Sequence, residues 1–242
     1  MNYFYISGTS RGIGKALAEE ILKKDNNYVI GFARSNSIRH KHFEFIEIDL
    51  IRPEKVMEFR FIPIMDAERI TLVNNAGMIG QVEHVGLIDN QSITDVFHLN
   101  LNSPTILMNN FVKAYQTFPC PKVVLNISSG ASKMPVESWG AYCASKSALD
   151  MFTSVSALEQ EKMMQNYPVR FFSIAPGIVD TMMQDEIRKI DRVSFSEVDK
   201  FIWYKSENKL AKPEDIAKKL MQVIENAEKI EGTIFDLREI SL

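Results

Sequence analysis

The chain has 242 residues, and its 28 Lys and Arg against 31 Asp and Glu give a formal net charge of −3. This balance excludes the basic excess that is typical of nucleic-acid-binding proteins. No apolar run approaches the roughly 18 residues of a membrane-spanning helix, so we expect no membrane segment.

Strand-like and helix-like segments alternate along the chain. In chain order, the patterns predict a strand at 3–7, a helix at 13–24, strands at 28–33 and 43–48, a helix from 53 to about Met65, a strand at 70–73, a helix at 92–115, a strand at 122–127, a helix at 142–165, a strand at 169–174, a helix at 213–227 and a strand at 233–235. Such alternation is typical of a parallel sheet with helices on both faces. We therefore predict a single α/β domain over residues 1–242, with a Rossmann-type doubly wound parallel sheet of about seven strands.

The segment 181–210 interrupts this alternation, because it mixes charged residues with Met182, Phe195, Phe201 and Trp203. An excursion of about 30 residues within a compact domain is more typical of a functional lid than of a plain loop. We therefore expect a substrate lid at about 181–210.

The cysteines and histidines indicate no metal site. Cys120 and Cys143 form neither a CxxC pair nor a cluster with metal-ligand spacing, and the four histidines are scattered. Residues 1–8 lack the basic stretch and apolar core of a signal peptide. We therefore expect a cytoplasmic protein without a bound metal.

A glycine-rich turn, Gly8-Thr9-Ser10-Arg11-Gly12-Ile13-Gly14, joins the first strand to the first helix. At this place in a doubly wound sheet, glycines let the backbone approach a dinucleotide pyrophosphate, and the helix N-terminus offers unpaired N–H groups. The spacing G-x-x-x-G-x-G differs from both the common dinucleotide fingerprint and the phosphate-binding loop. Two alternatives remain: a purely structural turn, and a nucleophile elbow centred on Ser10, which would lack a histidine base because no histidine follows His98.

The end of the second strand, Gly31-Phe32-Ala33-Arg34-Ser35, bears on the choice of coenzyme. An acidic residue there would bind the ribose 2′-hydroxyl of NAD. Arg34 stands in that region instead, and a guanidinium suits the 2′-phosphate of NADP. Arg11 places a second cation nearby, so we predict NADP(H) as the cofactor; a solvated loop charge is the alternative for Arg34.

Tyr142 and Lys146 are four residues apart at the start of a predicted helix, so their side chains lie on one face. Ser129 follows the fifth strand, and the ligand crevice of an open parallel sheet lies at this carboxyl edge. Hydride transfer to a carbonyl leaves charge on oxygen, which requires a proton donor such as Tyr142. At roughly 4 Å and an effective dielectric near 20, a lysine cation stabilises a phenolate by at most about 4 kcal/mol, or about three pKa units. The Ser129 hydroxyl can donate a hydrogen bond to the same substrate oxygen.

The chain resembles the short-chain dehydrogenase/reductase family from end to end. The motifs that carry the resemblance are Ser7-Gly8…Gly12-Ile13-Gly14, Asn74-Asn75-Ala76-Gly77, Asn100 in His98-Leu99-Asn100-Leu101, Ser129, Tyr142…Lys146 and Pro176-Gly177. The resemblance implies Tyr142 as the acid/base and Ser129 as the residue that positions the carbonyl. It implies that Lys146 binds the nicotinamide ribose and lowers the tyrosine pKa, and that Asn100 holds a water in a proton relay to Lys146.

The resemblance also implies a set of coenzyme contacts at the strand ends. These are Asp49 at the adenine, Asn75, Ala76 and Gly77 on the adenosine side, and Ile178, which follows Pro176 and Gly177, at the nicotinamide amide.

Within the family, the stretches 139–146 and 175–184 are similar to sepiapterin reductases and bacterial benzil reductases, as is Phe235-Asp236-Leu237. In sepiapterin reductases an aspartate of the last strand anchors the pterin, and Asp236 matches it; a plain acid at the end of a strand is the alternative. Trp139 either lines the substrate pocket or packs in the core. Met182 is expected at the substrate.

Together these features predict an NADPH-dependent carbonyl reductase that acts on a ketone or vicinal dicarbonyl, benzil-like or sepiapterin-like, with Tyr142 as proton donor. One alternative is a dehydrogenase that acts mainly in the alcohol-oxidising direction on another substrate. The other is a non-catalytic NADP-sensing protein, which the intact catalytic positions disfavour. The family implies a homodimer or homotetramer through the helices at 92–115 and 142–165, where Met151, Phe152 and Val155 belong to an interface or to the core.

Overall fold

The computed structural model describes residues 1–62, 64, 66–164 and 166–240. These residues form a sheet of seven parallel strands in the order β3-β2-β1-β4-β5-β6-β7. The strands are β1 (Asn2–Ser7), β2 (Asn27–Ala33), β3 (Phe43–Glu47), β4 (Arg69–Asn74), β5 (Lys122–Ile127), β6 (Val169–Ala175) and β7 (Ile234–Asp236). The strand order reverses between β1 and β4, and a crevice opens there at the carboxyl edge of a doubly wound sheet.

Helices cover both faces of this sheet. They are α1 (Gly12–Ile21), α2 (Pro53–Glu58), α3 (Asn90–Phe97), α4 (Ser103–Tyr115), α5 (Gly140–Met163), α6 (Met182–Ile187), α7 (Val198–Ser206) and α8 (Pro213–Glu225). One π-helical turn lies at His98–Asn102, and 3₁₀ turns lie at Gly130–Ser132 and Ala227–Lys229. The predicted Rossmann-type α/β fold is therefore confirmed.

The core consists of one apolar layer on each face of the sheet, which explains why the strands are apolar runs rather than alternating ones. Phe4 and Ile6 of β1 pack with α1 and α8, whereas Tyr5, between them in the sequence, packs on the opposite face with Phe111 of α4 and Leu149 of α5. All five side chains are buried. These two layers hold the strands in place, and the candidate site lies at the carboxyl ends of the strands.

The helices predicted at 13–24 and from 53 to about Met65 both end early. The helix that starts at Pro53 ends at Glu58, because Phe59 takes an extended backbone with φ −63° and ψ 132°; the predicted end at Met65 lies outside the described residues. The first helix ends at Ile21, where the side-chain amide of Asn27 donates to the Ile21 carbonyl oxygen at 2.9 Å. The spacing of apolar residues in the sequence indicates neither of these helix ends.

The helix predicted at 92–115 begins earlier and is interrupted. It begins at Asn90 behind Asp89, whose carboxylate accepts from the Gln91 N–H at 2.9 Å, and the π-helical turn separates α3 from α4. The helix predicted at 142–165 runs over Gly140–Met163, and Gln165 lies outside the described residues.

The segment 181–210 is more regular than a loop. It contains α6 and α7, and an isolated parallel bridge pairs Val179 with Ala211, so both ends of the segment are held together. Its side chains Ile187, Phe195 and Phe201 form a third apolar cluster with Trp139. This packing places the segment over the carboxyl edge of the sheet.

Candidate active site

A cleft of about 1480 Å³ runs along the carboxyl edge of the sheet. Its lining includes every predicted site residue except two: Gly8, Ser10, Arg11, Gly12, Ile13, Arg34, Asp49, Asn75, Ala76, Gly77, Ser129, Trp139, Tyr142, Lys146, Pro176, Gly177, Ile178, Met182 and Asp236. Gly14 and Asn100 lie outside this lining, and each contacts residues that belong to it or adjoin it, as described below. The structure thus brings residues that are far apart in the sequence into one continuous cleft.

The glycine-rich turn lies tightly against the end of β4. Gly8 has φ +75°, in the left-handed region that favours glycine. A Cβ at Gly14 would lie 2.3 Å from Asn75 Nδ2 and 2.4 Å from the Gly8 carbonyl oxygen. Arg11, which precedes α1, provides no side-chain capping hydrogen bond. The first residues of α1, Gly12 and Ile13, line the cleft.

Ser7 and Asn75 connect the turn to the neighbouring strand. The Ser7 hydroxyl accepts from the backbone N–H groups of Asn75 and Ala76 at 2.9 and 3.0 Å. The Asn75 side-chain amide donates to the Ser7 carbonyl oxygen at 3.0 Å. These bonds hold the ends of β1 and β4 together at the point where the strand order reverses.

The chemistry-bearing side chains come from β5 and the first turns of α5. Tyr142 and Lys146 lie on one face of α5, and Lys146 Nζ is 5.8 Å from the centroid of the Tyr142 ring. The Lys146 ammonium donates to the Ile127 carbonyl oxygen at 2.8 Å. Ser129 follows β5 and lines the same cleft as Tyr142; its hydroxyl accepts from the Ala131 N–H at 3.2 Å. The predicted cluster of hydroxyl, phenol and ammonium is therefore present.

The acidity of Tyr142 differs from the expected one. Burial raises the pKa of the phenol above its ordinary value of 10.0, while the Ser129 hydroxyl lowers it. Desolvation penalises the charged phenolate, and it outweighs the stabilising contact. The Lys146 ammonium donates to the Ile127 carbonyl oxygen, and its effect on the phenol stays a prediction. At neutral pH the phenol carries its proton.

Lys146 is also buried, and burial lowers the pKa of its ammonium to about 8, while the charge of Asp150 raises it. Asp150 lies one helical turn after Lys146 and is itself buried. The Ser173 hydroxyl of β6 donates to Asp150 Oδ1 at 2.5 Å. A buried carboxylate therefore helps to keep the lysine charged.

Asn100 lies in the π-helical turn, behind the cleft wall. Its Oδ1 accepts from the Met78 N–H at 2.9 Å, and its Nδ2 donates to the Met78 carbonyl oxygen at 2.8 Å and to the Ser145 hydroxyl at 3.2 Å. Ser145 in turn donates to the Tyr142 carbonyl oxygen at 2.8 Å. The Asn100 side chain is thus engaged in linking the β4 loop to α5.

The other end of the cleft lies beside β2 and β3. Arg34 is exposed and lines both this cleft and an adjoining pocket. Asp49 lines the same two spaces, and its Oδ1 accepts from the Ile51 N–H at 3.2 Å. The Arg34 guanidinium thus borders the cleft at the end of β2, the position at which the sequence predicts a cation.

The substrate end of the cleft is bounded by aromatic residues and by the segment 181–210. Trp139 is both a lining and a packing residue: its ring is 5.7 Å from that of Tyr142, perpendicular to it, and 5.6 Å from that of Phe201. Arg11 Nη1 donates to the sulfur of Met182 at 3.0 Å. The glycine-rich turn and α6 therefore contact each other across the cleft.

Asp236 lines the cleft but already has a partner. Its carboxylate accepts from Arg238 through Nε at 2.8 Å, Nη2 at 2.6 Å and the backbone N–H at 2.9 Å. These bonds lower the pKa of the carboxyl group. A ring N–H donor of a substrate would therefore compete with Arg238 for this carboxylate.

The sequence analysis did not predict three residues of the site: Asp150, Ser173 and Arg238. Asp150 could have been found from the sequence, because it lies four residues after Lys146 and therefore on the same face of the helix. The Ser173 hydroxyl has no such signal, because its bond to Asp150 depends on the packing of α5 against β6. Arg238 is only two residues after Asp236, but the sequence does not show that this turn pairs the two side chains. No described helix is long and apolar enough to cross a membrane, and the described residues include no group of three metal-ligating side chains.

Comparison with known proteins agrees with this geometry. Residues 2–192 match the family model for short chain dehydrogenases. A benzil reductase ((S)-benzoin forming) from Bacillus subtilis is 34% identical over 244 residues, covering 99% of each chain. A sepiapterin reductase from Rattus norvegicus is 31% identical over 206 residues, covering 76% of each. Among solved structures, the KRED1-Pglu enzyme superposes with a TM-score of 0.81 at 26% identity, covering 97% of this chain and all of that one.

The family binds nicotinamide coenzymes, and this chain retains the glycine-rich turn together with Ser129, Tyr142 and Lys146 in one cleft. The chain belongs to the short-chain dehydrogenase/reductase family and is an oxidoreductase.

Proposed function

We propose that this protein is an NADPH-dependent carbonyl reductase that acts on a ketone or vicinal dicarbonyl, benzil-like or sepiapterin-like. The observation that carries the proposal is the arrangement of Tyr142, Ser129 and Lys146 at the carboxyl edge of the sheet, in the cleft that begins at the glycine-rich turn. The similarity to benzil and sepiapterin reductases supports this substrate class.

The cleft fits a nicotinamide dinucleotide. The glycine-rich turn and the start of α1 would hold the pyrophosphate, because Gly8, Gly12 and Ile13 line the cleft and the first N–H groups of a helix bind anions. Asp49 would contact the adenine, Lys146 the nicotinamide ribose, and Ile178 the nicotinamide amide. The chemistry that such a coenzyme would supply here, when bound, is hydride transfer to the carbonyl carbon.

Tyr142 would supply the proton. Because burial raises the pKa of its phenol, the group is protonated at neutral pH and can donate to the oxygen that gains charge. Ser129 would hold that oxygen by a hydrogen bond. The Lys146 ammonium, which is charged below pH of about 8, would favour the phenolate left behind.

Preference for NADPH would come from Arg34. Its guanidinium is exposed at the end of β2 and borders both spaces at this end of the cleft. A guanidinium can bind a phosphate through two parallel hydrogen bonds, whereas it has no comparable partner on a ribose 2′-hydroxyl.

The substrate would lie between Trp139, Met182 and the segment 181–210, which acts as its lid. Trp139 and Tyr142 present an apolar, aromatic surface next to the proton donor, which suits an aromatic dicarbonyl. The engagement of Asp236 by Arg238 favours benzil-like substrates over those that need a carboxylate anchor.

We also propose a homodimer or homotetramer in the cytoplasm. Met151, Phe152 and Val155 are 66%, 41% and 45% exposed on α5, so they are surface residues of the single chain and not core. A row of exposed apolar side chains on a long helix is typical of an interaction surface.

Both cysteines are free thiols, which suits a reducing compartment such as the cytoplasm.

The experiment that tests the function is a substrate screen with purified protein, following NADPH oxidation. Benzil, smaller diketones and sepiapterin are compared, each with NADPH and with NADH. We expect turnover of aromatic diketones with NADPH and a higher kcat/KM than with NADH. Absence of turnover with every carbonyl compound, in protein that binds NADPH, would contradict the proposal.

A further inference from the structure

Three loops meet at the rim of the cleft, beyond the reacting groups. They are the loop after β4, the loop before α5, and the turn between α6 and α7. Five residues of these loops form a hydrogen-bonded group that we call the clasp: Glu83, His84, Glu137, Ser194 and Ser196.

Each carboxylate of the clasp binds the lid with one oxygen and faces His84 with the other. Glu83 Oε2 accepts from the Ser194 hydroxyl at 2.7 Å, and its Oε1 lies 3.2 Å from His84 Nδ1. Glu137 Oε2 accepts from the Ser196 N–H at 3.1 Å and from the Ser196 hydroxyl, and its Oε1 lies 3.3 Å from His84 Nε2. The imidazole therefore bridges the two carboxylates that hold the lid.

This geometry depends on the charge of His84. A neutral imidazole carries one N–H group, so only the protonated ring donates to both carboxylates. The hydrogen bonds to Glu137 and Glu83 raise the pKa of His84 above its ordinary value of 6.5. The charged groups around the ring are Glu83 on its own loop, Glu137 on the loop before α5 and, through Ser194, Asp191 on the lid.

The clasp is connected directly to the wall of the substrate pocket. Phe195, between the two clasp serines, is fully buried, and its ring is 5.7 Å from that of Trp139. Ser138, which precedes Trp139, has φ +64° and donates through its hydroxyl to the Ser194 carbonyl oxygen at 2.5 Å. Its own carbonyl oxygen accepts from the Glu83 N–H at 3.2 Å. A strained residue is thus held between the clasp and Trp139.

We propose that the clasp positions Phe195 and Trp139 against Tyr142, so that Glu83, His84 and Glu137 are positioning residues that determine the acceptance of bulky aromatic substrates. The inference deepens the proposed carbonyl reductase function and rests on it. Protonation of His84 tightens the lid, and loss of that proton loosens the pocket wall without touching the reacting atoms.

One test needs no substrate. The chain has two tryptophans, so Trp203→Phe leaves Trp139 as the only indole fluorophore. We expect its emission to change in one transition above the ordinary histidine pKa of about 6.5, and to lose that transition in a Trp203→Phe/His84→Gln variant. His40→Gln, on an exposed histidine far from the lid, is the matched control and keeps the transition. A transition that survives His84→Gln, or none in the parent, would overturn the inference.

A second test uses catalysis. For His84→Gln we expect the KM for benzil to rise about five-fold, the equivalent of one lost hydrogen bond, with kcat and the KM for diacetyl nearly unchanged. In the parent enzyme, the KM for benzil rises with pH across the same transition. Equal changes for both diketones, or changes in kcat alone, would overturn the positioning role.

Two controls keep these results interpretable. Affinity for NADPH shows that each variant is folded, and Ser194→Ala, which removes a single clasp hydrogen bond, replaces His84→Gln if that variant does not fold. If the parent reduces no diketone, the proposed function fails, while the fluorescence titration still decides whether the clasp exists.

Discussion

Replacement of Lys146 allows a quantitative prediction of stability. Burial lowers the pKa of its ammonium from 10.5 to about 8, and each pKa unit corresponds to about 1.4 kcal/mol. The buried charge therefore costs the folded protein about 3 kcal/mol at neutral pH. Lys146→Met removes this cost but leaves the Ile127 carbonyl oxygen without its 2.8 Å donor, which offsets about 1 kcal/mol. We predict that the variant is inactive but more stable than the parent by about 2 kcal/mol at pH 7.

The pH dependence of this difference identifies its cause. Between the folded pKa of about 8 and the unfolded value of 10.5, the unfolded chain binds the proton of Lys146 and the folded chain does not. The parent's stability therefore gains a contribution as pH rises through this window, amounting to about 2 kcal/mol by about pH 9.5. The variant lacks this contribution, so the gap between the two proteins closes.

Urea unfolding at 25 °C, at pH 7 and at about pH 9.5, measures the gap. Lys219→Met, on the exposed face of α8, controls for loss of a lysine as such. A gap that stays constant between the two pH values, or a variant less stable than the parent at pH 7, would refute the reasoning.

Three further variants test other parts of the cleft. Arg34→Asp is expected to lower kcat/KM for NADPH relative to NADH by at least about ten-fold; an unchanged ratio counts against a 2′-phosphate site. Asp236→Asn is expected to weaken pterin binding, because it removes the carboxylate that ring N–H donors would bind, and to spare simple diketones, which have no such donors; an equal effect on both substrates would be inconsistent with an anchor. Gly14→Ala places a Cβ 2.3 Å from Asn75 Nδ2, so we expect loss of about 2 kcal/mol or more in unfolding free energy together with weaker NADPH binding; normal stability would show that the turn can move.

The fold was largely predictable because its signals are local and repeated. Apolar runs that end in Gly8, Asn75 or Pro176 mark the strands and their carboxyl ends, and the parallel topology then brings these ends together. The helix stop at Glu58 was not predictable, since it depends on the extended backbone of Phe59.

The chemical groups of the site were predictable for the same reason, but their electrostatics were not. The spacing of Tyr142 and Lys146 determines that they share a helix face. It does not determine burial, which raises the pKa of Tyr142 in spite of the nearby ammonium. The clasp around His84 was also missed, because it depends on contacts between loops that are distant in the sequence. The pairing of Asp236 with Arg238 was missed although it is local, because the spacing of two residues does not show which way the side chains turn.

The central claim is that the Tyr142 phenol gives its proton to a carbonyl oxygen beside the bound nicotinamide. Single-turnover oxidation of bound NADPH by benzil, compared between the parent and Tyr142→Phe, tests it most directly. We predict the same affinity for NADPH in both proteins and a rate at least about a hundred-fold lower in Tyr142→Phe. A variant that binds NADPH normally and oxidises it at the parental rate would contradict the account.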